Sequence, residues 1–450
     1  MPPIDSPDSA GSLLAPAGQT TRLEQRLALA CALLLCASVF LLPGRGAVAH
    51  LARLALLLFP VAGLLVWVFL PAARQAGWRT TRGGAAGNTW LWIGLPLLAY
   101  FITALAGKLV HGDSSVVLDK PVRMLVLSVG LFIWLHIRMD LAFFRHVAVL
   151  FSIAGGFLAF GVALYERFAL GIDRVGVQPF PIQFADMAMS IALVCAAWVA
   201  GLPKSALRML ASISVALAFV ACWMASSRGA FIALLVLPWV VAWASGRRLT
   251  LKRALAVLAG VLVVLAVGLA SNTRLRERVV EVRTDLQAYA QGRAATSLGM
   301  RLQMWQNSLH VFAASPAVGA GTAGYLRSQE QGVAQGRLDP AILEFNGAHN
   351  QYLDALAKGG LLHGLSTLAL FLFPWLWFRR RSRQPSGVPL HAVAGFAVAS
   401  AFPLFALSQH VLNHGSGAMF FAGSMVLFAL ACAPQYGTIP ANPTASGNPP

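Results

Sequence analysis

ALRMLASISVALAFVACWMASSRGAFIALLVLPWVVAWASGRR, residues 206–248, holds two apolar runs, 208–225 and 229–245, separated only by Ser226, Ser227 and Arg228. A helix needs roughly 20 apolar residues to cross the hydrocarbon core of a bilayer, and each run approaches that length. Basic residues flank the pair, Lys204 and Arg208 before it and Arg247 and Arg248 after it. Short loops rich in Lys and Arg stay on the cytoplasmic side. The stretch therefore reads as a membrane hairpin with cytoplasmic ends, and Arg228 stands at its outward tip with almost no loop to belong to.

The same pattern extends along the whole chain of 450 residues. Besides 208–225 and 229–245, apolar runs fall at 27–43, 51–71, 89–107, 122–137, 147–165, 181–201, 254–271, 359–378, 389–409 and 415–433. Hydrophobic residues make up 58% of the chain and charged residues 11%, against about 25% charged in a soluble domain. This predicts an all-α polytopic membrane protein of about 12 transmembrane helices. The second run is interrupted by Pro60 and the fourth is short. The net charge of +18 does not mark a nucleic-acid partner, because the basic residues are distributed among short loops between apolar runs. Arg22/Arg26, Arg74/Arg79/Arg82, Arg138/Arg145, Lys204/Arg208, Arg247/Arg248/Lys252/Arg253 and Arg379/Arg380/Arg381/Arg383 fall on one side, the cytoplasmic one. All five cysteines lie in apolar segments, so no disulfide framework is expected.

The predicted organisation is a disordered cytoplasmic tail (1–26), nine transmembrane helices (27–271), a large outward loop (272–348), three further helices (349–433) and a second cytoplasmic tail (434–450). The first tail is polar and lacks the basic region of a cleavable signal. Within the loop, Leu302, Trp305, Leu309 and Phe312 recur at helical spacing before Ser315-Pro316 and a glycine-rich stretch, Gly319, Gly321 and Gly324. That predicts a helix followed by a tight loop. The glycines follow no strand and are not a nucleotide-binding fingerprint. ERVVEVRTDLQAYAQGR, 277–293, reads as a more charged helix standing off the membrane.

The outward face gathers cations with few carboxylates. Lys120, Arg123, Arg174, Arg228 and Arg301 lie there with His349, His410 and His414. Ionisable groups at a membrane margin are costly unless they pair or line a pathway. Arginine suits bidentate contact with an external phosphate. Each residue also has a plainer reading. Arg228 can snorkel to the interface, Arg301 can be a solvated loop residue, and His349 can cap a helix. His410 and His414 can be interfacial hydrogen-bonding groups, and Lys120 and Arg123 orientation anchors.

Three local motifs together resemble the O-antigen ligases, within the superfamily that also holds O-antigen polymerases and bacterial O-oligosaccharyltransferases. His349, Asn350 and Gly360 match the family's His, Asn/Ser/Gln, nine residues, Gly pattern, while His363 stands at its last position and Gly364 follows one later. SSRGA is similar to a Ser-Arg-Gly element of the family. Arg301 and Trp305, followed by Pro316, Gly319 and Gly321, resemble the superfamily's large-loop pattern. The resemblance implies a membrane-embedded glycosyltransferase of GT-C-like architecture in a bacterial inner membrane, its active site facing the periplasm. It implies a polysaccharide donor on undecaprenyl diphosphate, a lipid A-core acceptor and chemistry without metal or other cofactor. His is suited to accept the acceptor hydroxyl's proton, and preorganised Arg groups to stabilise the diphosphate leaving group. The chain has no Asp-x-Asp pair of the kind that holds a metal in many diphosphate-sugar enzymes. His349, Arg228 and Arg301 are then the expected catalytic residues; Arg174, Lys120, Arg123, Asn350 and Trp305 are the expected substrate-binding ones. A polymerase or oligosaccharyltransferase of the same superfamily is the nearest alternative. A lipid-linked saccharide transporter is one of another class, for which Asp186 is the best mid-membrane group.

Overall fold

The computed structural model describes residues 22–69, 85–137, 141–176, 180–227, 229–247, 250–271, 283–285, 287–291, 293–383 and 390–433. Every apolar run found in the sequence carries helix: α1 (Arg22–Phe40), α2 (Ala47–Phe69), α3 (Ala85–His111), α4 (Pro121–Trp134), α5 (Leu141–Leu164), α6 (Pro181–Gly201), α7 (Ala206–Met224), α8 (Leu237–Ala244) and α9 (Leu251–Ser271). After the long segment 272–348 come α12 (Gln351–Arg381), α13 (Leu390–Phe405) and α14 (Gly415–Cys432), with α10 (Ser297–Ala314) and α11 (Gly321–Ala334) inside it.

Among the described residues, seven helices are long and apolar enough to cross a membrane: α2, α3, α5, α6, α7, α12 and α14. The chain is a multi-pass membrane protein. Of the twelve expected spans, these seven meet that length and composition among the described residues, and three of the others are short for reasons visible in the elements. The fourth run is a 14-residue helix, α13 has 16 residues, and the eighth run is a 3₁₀ helix (Gly229–Val236) continued by the short α8.

Small residues set the packing. α6, α13 and α14 are rich in Ala and Gly and are buried along most of their length, as expected where helices associate by close backbone approach instead of hydrophobic exclusion. A Cβ on Gly156 of α5 would lie 2.1 Å from the Ser214 hydroxyl of α7, and one on Gly395 of α13 would lie 2.3 Å from the Phe378 ring. The outer helices present leucines to the surroundings, as at Leu51, Leu54 and Leu58 of α2.

α12 links the two rims of the bundle. At its C-terminal end Arg379, Arg380 and Arg381 stack over Trp375, Trp92 and Trp377 at 5.2, 4.6 and 4.4 Å, and the following Arg383 lies 4.9 Å over Trp243. Tryptophan and arginine pair in this way at membrane interfaces. At its N-terminal end lies His349.

The long segment between α9 and α12 holds two longer helices, α10 and α11, and its glycines do more than the expected tight loop. α10 is capped by Thr296, whose hydroxyl accepts from the Gly299 N–H. The following turn meets α12 at a break, where Gly360 has φ 62° and ψ −159°. The break frees backbone donors, and the loop supplies acceptors: Leu361 N–H donates to the Pro316 carbonyl at 2.8 Å and Leu362 N–H to Ala317 at 3.4 Å, while Ala320 N–H donates to Ala357 at 3.0 Å. Gly321 then opens α11, where the Asp113 carboxylate accepts from Thr322 and Ala323 N–H at 2.8 and 3.2 Å. A carboxylate at a helix N-terminus satisfies orphan donors and the helix dipole together. Asp113 thus ties the loop to the end of α3. The described part of 277–293 is helical at 283–285 and 287–290.

Candidate active site

A cavity of about 820 Å³ opens at the rim where α12 begins. Its wall includes His349, His410 and His414, and four cations, Lys108, Lys120, Arg174 and Lys358. Of the residues predicted from sequence, the structure brings His349, Lys120 and Arg174 to this wall. Arg228 lies outside the described residues. Asn350, Trp305, Arg301 and Arg123 are not part of the lining, but each sits close behind it.

His349 is held from several sides. Its backbone adopts φ 45°, a left-handed conformation that costs a non-glycine residue and persists only where the surroundings enforce it. On one side the Trp305 indole donates to the Ala348 carbonyl at 3.0 Å. On the other, Asn350 caps α12: its Oδ1 accepts from Tyr352 and Leu353 N–H at 3.0 and 3.1 Å, while its Nδ2 donates to the Leu407 carbonyl at 3.0 Å. Both ends of the Asn350 amide are therefore engaged by protein. The His349 ring lies edge-on to Phe345 and 4.6 Å from the His410 ring. Its Nδ1 is 3.4 Å from Gln409 Oε1. An amide oxygen only accepts, so this long contact favours the tautomer with its proton on Nδ1, in which Nε2 keeps its lone pair.

Arg301 approaches from α10, one turn before Trp305. Its charge reaches the imidazole, and after burial it is the largest influence lowering the His349 pKa below its ordinary 6.5; the Gln409 contact and Asp354 act in the opposite direction. His349 is thus neutral near pH 7. Burial also pushes His414 down to about 4, with the like charges of His349 and Lys120 adding to it. Burial dominates at His410 as well, whose pKa is lowered.

Sequence reading missed the group that organises this wall. Asp354, 3% exposed, accepts from Ala348 N–H at 3.1 Å, pairs with Lys358 at 2.8 Å and accepts from Asn413 Nδ2 at 2.9 Å. Lys358 in turn donates to the Asn346 carbonyl at 2.8 Å. One carboxylate joins the segment before α12 to the segment before α14. The available signal was a charged pair four residues apart on a helix otherwise apolar. His363, at the position where the motif departs, also lines the cavity and shares a 2.8 Å hydrogen bond with Thr103 of α3.

Residues 213–368 match the family described as O-Antigen ligase. They are similar to a domain of the O-antigen ligase/polymerase superfamily. The matched region runs from α7 into α12 and contains Arg228, Arg301, Trp305, His349 and Asn350, whereas Lys120, Arg123 and Arg174 precede it. The chain is also similar to an uncharacterized protein of Haemophilus influenzae, 25% identical over 340 residues, 74% of this chain and 84% of that protein. A shorter similarity, 31% identity over 102 residues, relates 22% of the chain to 24% of the O-antigen ligase of Escherichia coli.

Proposed function

We propose that this protein is an O-antigen ligase, transferring a polysaccharide from undecaprenyl diphosphate to a sugar of lipid A-core at the periplasmic face of the inner membrane. The observation that carries the reading is His349: a neutral imidazole in contact with Gln409, on the wall of a cavity lined by four cations and three carboxylates at the rim of an apolar bundle. Such a site suits a donor delivered within the membrane and an acceptor presented from outside it. The family match supports the same class of reaction.

In this mechanism the acceptor hydroxyl attacks the anomeric carbon as His349 Nε2 takes its proton. The bond from that carbon to the diphosphate oxygen breaks, configuration inverts, and undecaprenyl diphosphate leaves with the electron pair. Proton transfer by a positioned base is worth about 10²–10⁴-fold. Arg228 and Arg301 are assigned to the charge developing on the diphosphate, with Lys120 and Arg174 holding donor or acceptor. Arg123 is assigned to substrate binding, and Trp305 and Asn350 serve as positioning residues; the Trp305 and Asn350 hydrogen bonds on either side of His349 support that role.

The test is complementation of a ligase-deficient Gram-negative host with a compatible polysaccharide pathway. Wild type is expected to restore polymer-capped lipopolysaccharide on a gel. The His349→Ala variant, at equal membrane abundance, is expected to restore none and to let undecaprenyl-linked polymer accumulate. Full capping by His349→Ala would remove the general-base assignment. Longer chains without new capping in the wild type would favour the polymerase branch of the superfamily.

A further inference from the structure

A second cavity, of about 350 Å³, adjoins the first and shares Phe180 and Gln183 with it. Its wall carries Arg45, His50 and Arg53, from the start of α2 and the turn before it, together with Ser416 at the start of α14. Of the two arginines, only Arg45 is ion-paired among the described residues: its Nη1 lies 3.5 Å from Oε1 of the buried Glu166, whose other oxygen accepts from Gly176 N–H. Arg123 adds further positive charge, interacting with Arg53 from beside Gly415.

The polar atoms here are incompletely matched. Arg53 Nε, one terminal nitrogen of Arg123 and both polar atoms of the Gln183 side chain are buried without a hydrogen-bond partner among the described residues. Gln183 is only 2% exposed. Buried donors left unmade are costly, so native structures rarely keep them without a reason. Here guanidinium, amide and hydroxyl groups from three helices border one small space. An anion with several acceptor oxygens suits that set, and phosphate is the group arginine holds best. The flank of α2 beside this cavity is exposed leucine, Leu51 and Leu54, which suits a ligand that keeps its apolar part in the bilayer.

We propose that this second cavity is a phosphate subsite for a membrane amphiphile, separate from the diphosphate of the donor at His349. Under the ligase reading the amphiphile is the glycolipid acceptor, whose phosphate seats between Arg53 and Gln183 while its saccharide reaches the larger cavity. The binding itself does not depend on that reading.

The experiment uses the full-length protein purified in detergent and measures binding of three probes: phosphatidic acid, diacylglycerol of the same acyl chains, and inorganic phosphate. Wild type is expected to bind phosphatidic acid in preference to diacylglycerol, with inorganic phosphate competing. Arg53→Gln is expected to bind phosphatidic acid about tenfold more weakly, the loss of one charge-assisted contact. Arg53→Lys should recover part of that loss, and His349→Ala should bind as wild type does, separating this site from catalysis. His50→Gln provides a second weakened variant should Arg53→Gln fail to match the melting temperature of wild type. Equal affinity of wild type and these variants for phosphatidic acid would overturn the proposal, as would equal binding of diacylglycerol. Binding of inorganic phosphate with no advantage for the lipid would make the ligand a free anion and overturn the amphiphile assignment.

Discussion

At the scale of the residue, the sequence marked His349 by its position, but its chemistry comes from neighbours. Burial and Arg301 lower its pKa below 6.5, so the base form is available at neutral pH and is lost only in more acidic solution. For a base that must be neutral, the acid limb of kcat/KM reports its pKa in the free enzyme. That limb is expected below pH 6.5. Removing Arg301's charge removes an influence that lowers the pKa, so Arg301→Gln should move the limb to higher pH while also reducing the plateau. Removing Gln409's oxygen, which favours the protonated ring, should move it to lower pH, as in Gln409→Leu. A pH profile of transfer from undecaprenyl-linked donor in detergent would read both shifts, and their opposite signs are the diagnostic feature. An acid limb unmoved in both variants would detach His349 from the rate.

At the scale of the element, the break in α12 explains a motif that the sequence displayed without a reason. The apolar run begins at residue 359, whereas the helix begins at Gln351; the break at Gly360 falls at this junction. The first part carries Asp354 and Lys358 on the cavity wall, and the second crosses the membrane. Hydropathy could find only the second part, because a polar helical segment that is buried by tertiary contact looks like loop. The Gly-rich stretch was legible as a turn, but not as the partner of Gly360, because nothing in a linear pattern tells which backbone a glycine lets approach. A Cβ on Gly360 would lie 2.4 Å from the Ala317 carbonyl group, and one on Gly319 would lie 2.5 Å from the Gly359 nitrogen. Gly336 also has positive φ, 67°, but nothing lies within 4 Å of its would-be Cβ. The two positions separate conformation from contact. Gly336→Ala should cost about 1–2 kcal/mol, the ordinary left-handed penalty. Gly360→Ala adds a clash with backbone and leaves Leu361 and Leu362 N–H without their loop acceptors. Thermal unfolding of both variants should show the larger loss at Gly360, with proteolytic cleavage newly appearing at residues 315–320. Equal losses would mean that the docking of loop on helix contributes little.

At the scale of the whole molecule, the helical class was legible because it follows from local composition, whereas the length of each helix was not, because it depends on packing. The 3₁₀ stretch 229–236 and the 14-residue α4 show this: both are apolar, and both are too short for a simple crossing. The wall formed by Asp354, Asn413 and Lys358 was hidden for a related reason, since 59 residues separate Asp354 from its Asn413 partner. Orientation rests on a different kind of evidence. The four arginines 379–383 that stack on tryptophans and the cavity at His349 lie at opposite ends of α12, so placing either rim places the other. Basic residues in short loops favour the cytoplasmic side, so the proposed function has the cavity outside. Single cysteines test this against a quiet background, because Cys36, Cys195, Cys222 and Cys432 are buried and Cys31 is half-buried. Gln335, at the end of α11, and Arg247, after α8, are both exposed. A membrane-impermeant maleimide applied to cells with a permeabilised outer membrane should label Gln335→Cys at once and Arg247→Cys only after the inner membrane is lysed. The reverse order would put the His349 cavity on the cytoplasmic side, out of reach of an acceptor in the periplasm, and with it the proposed ligase would lose its substrate.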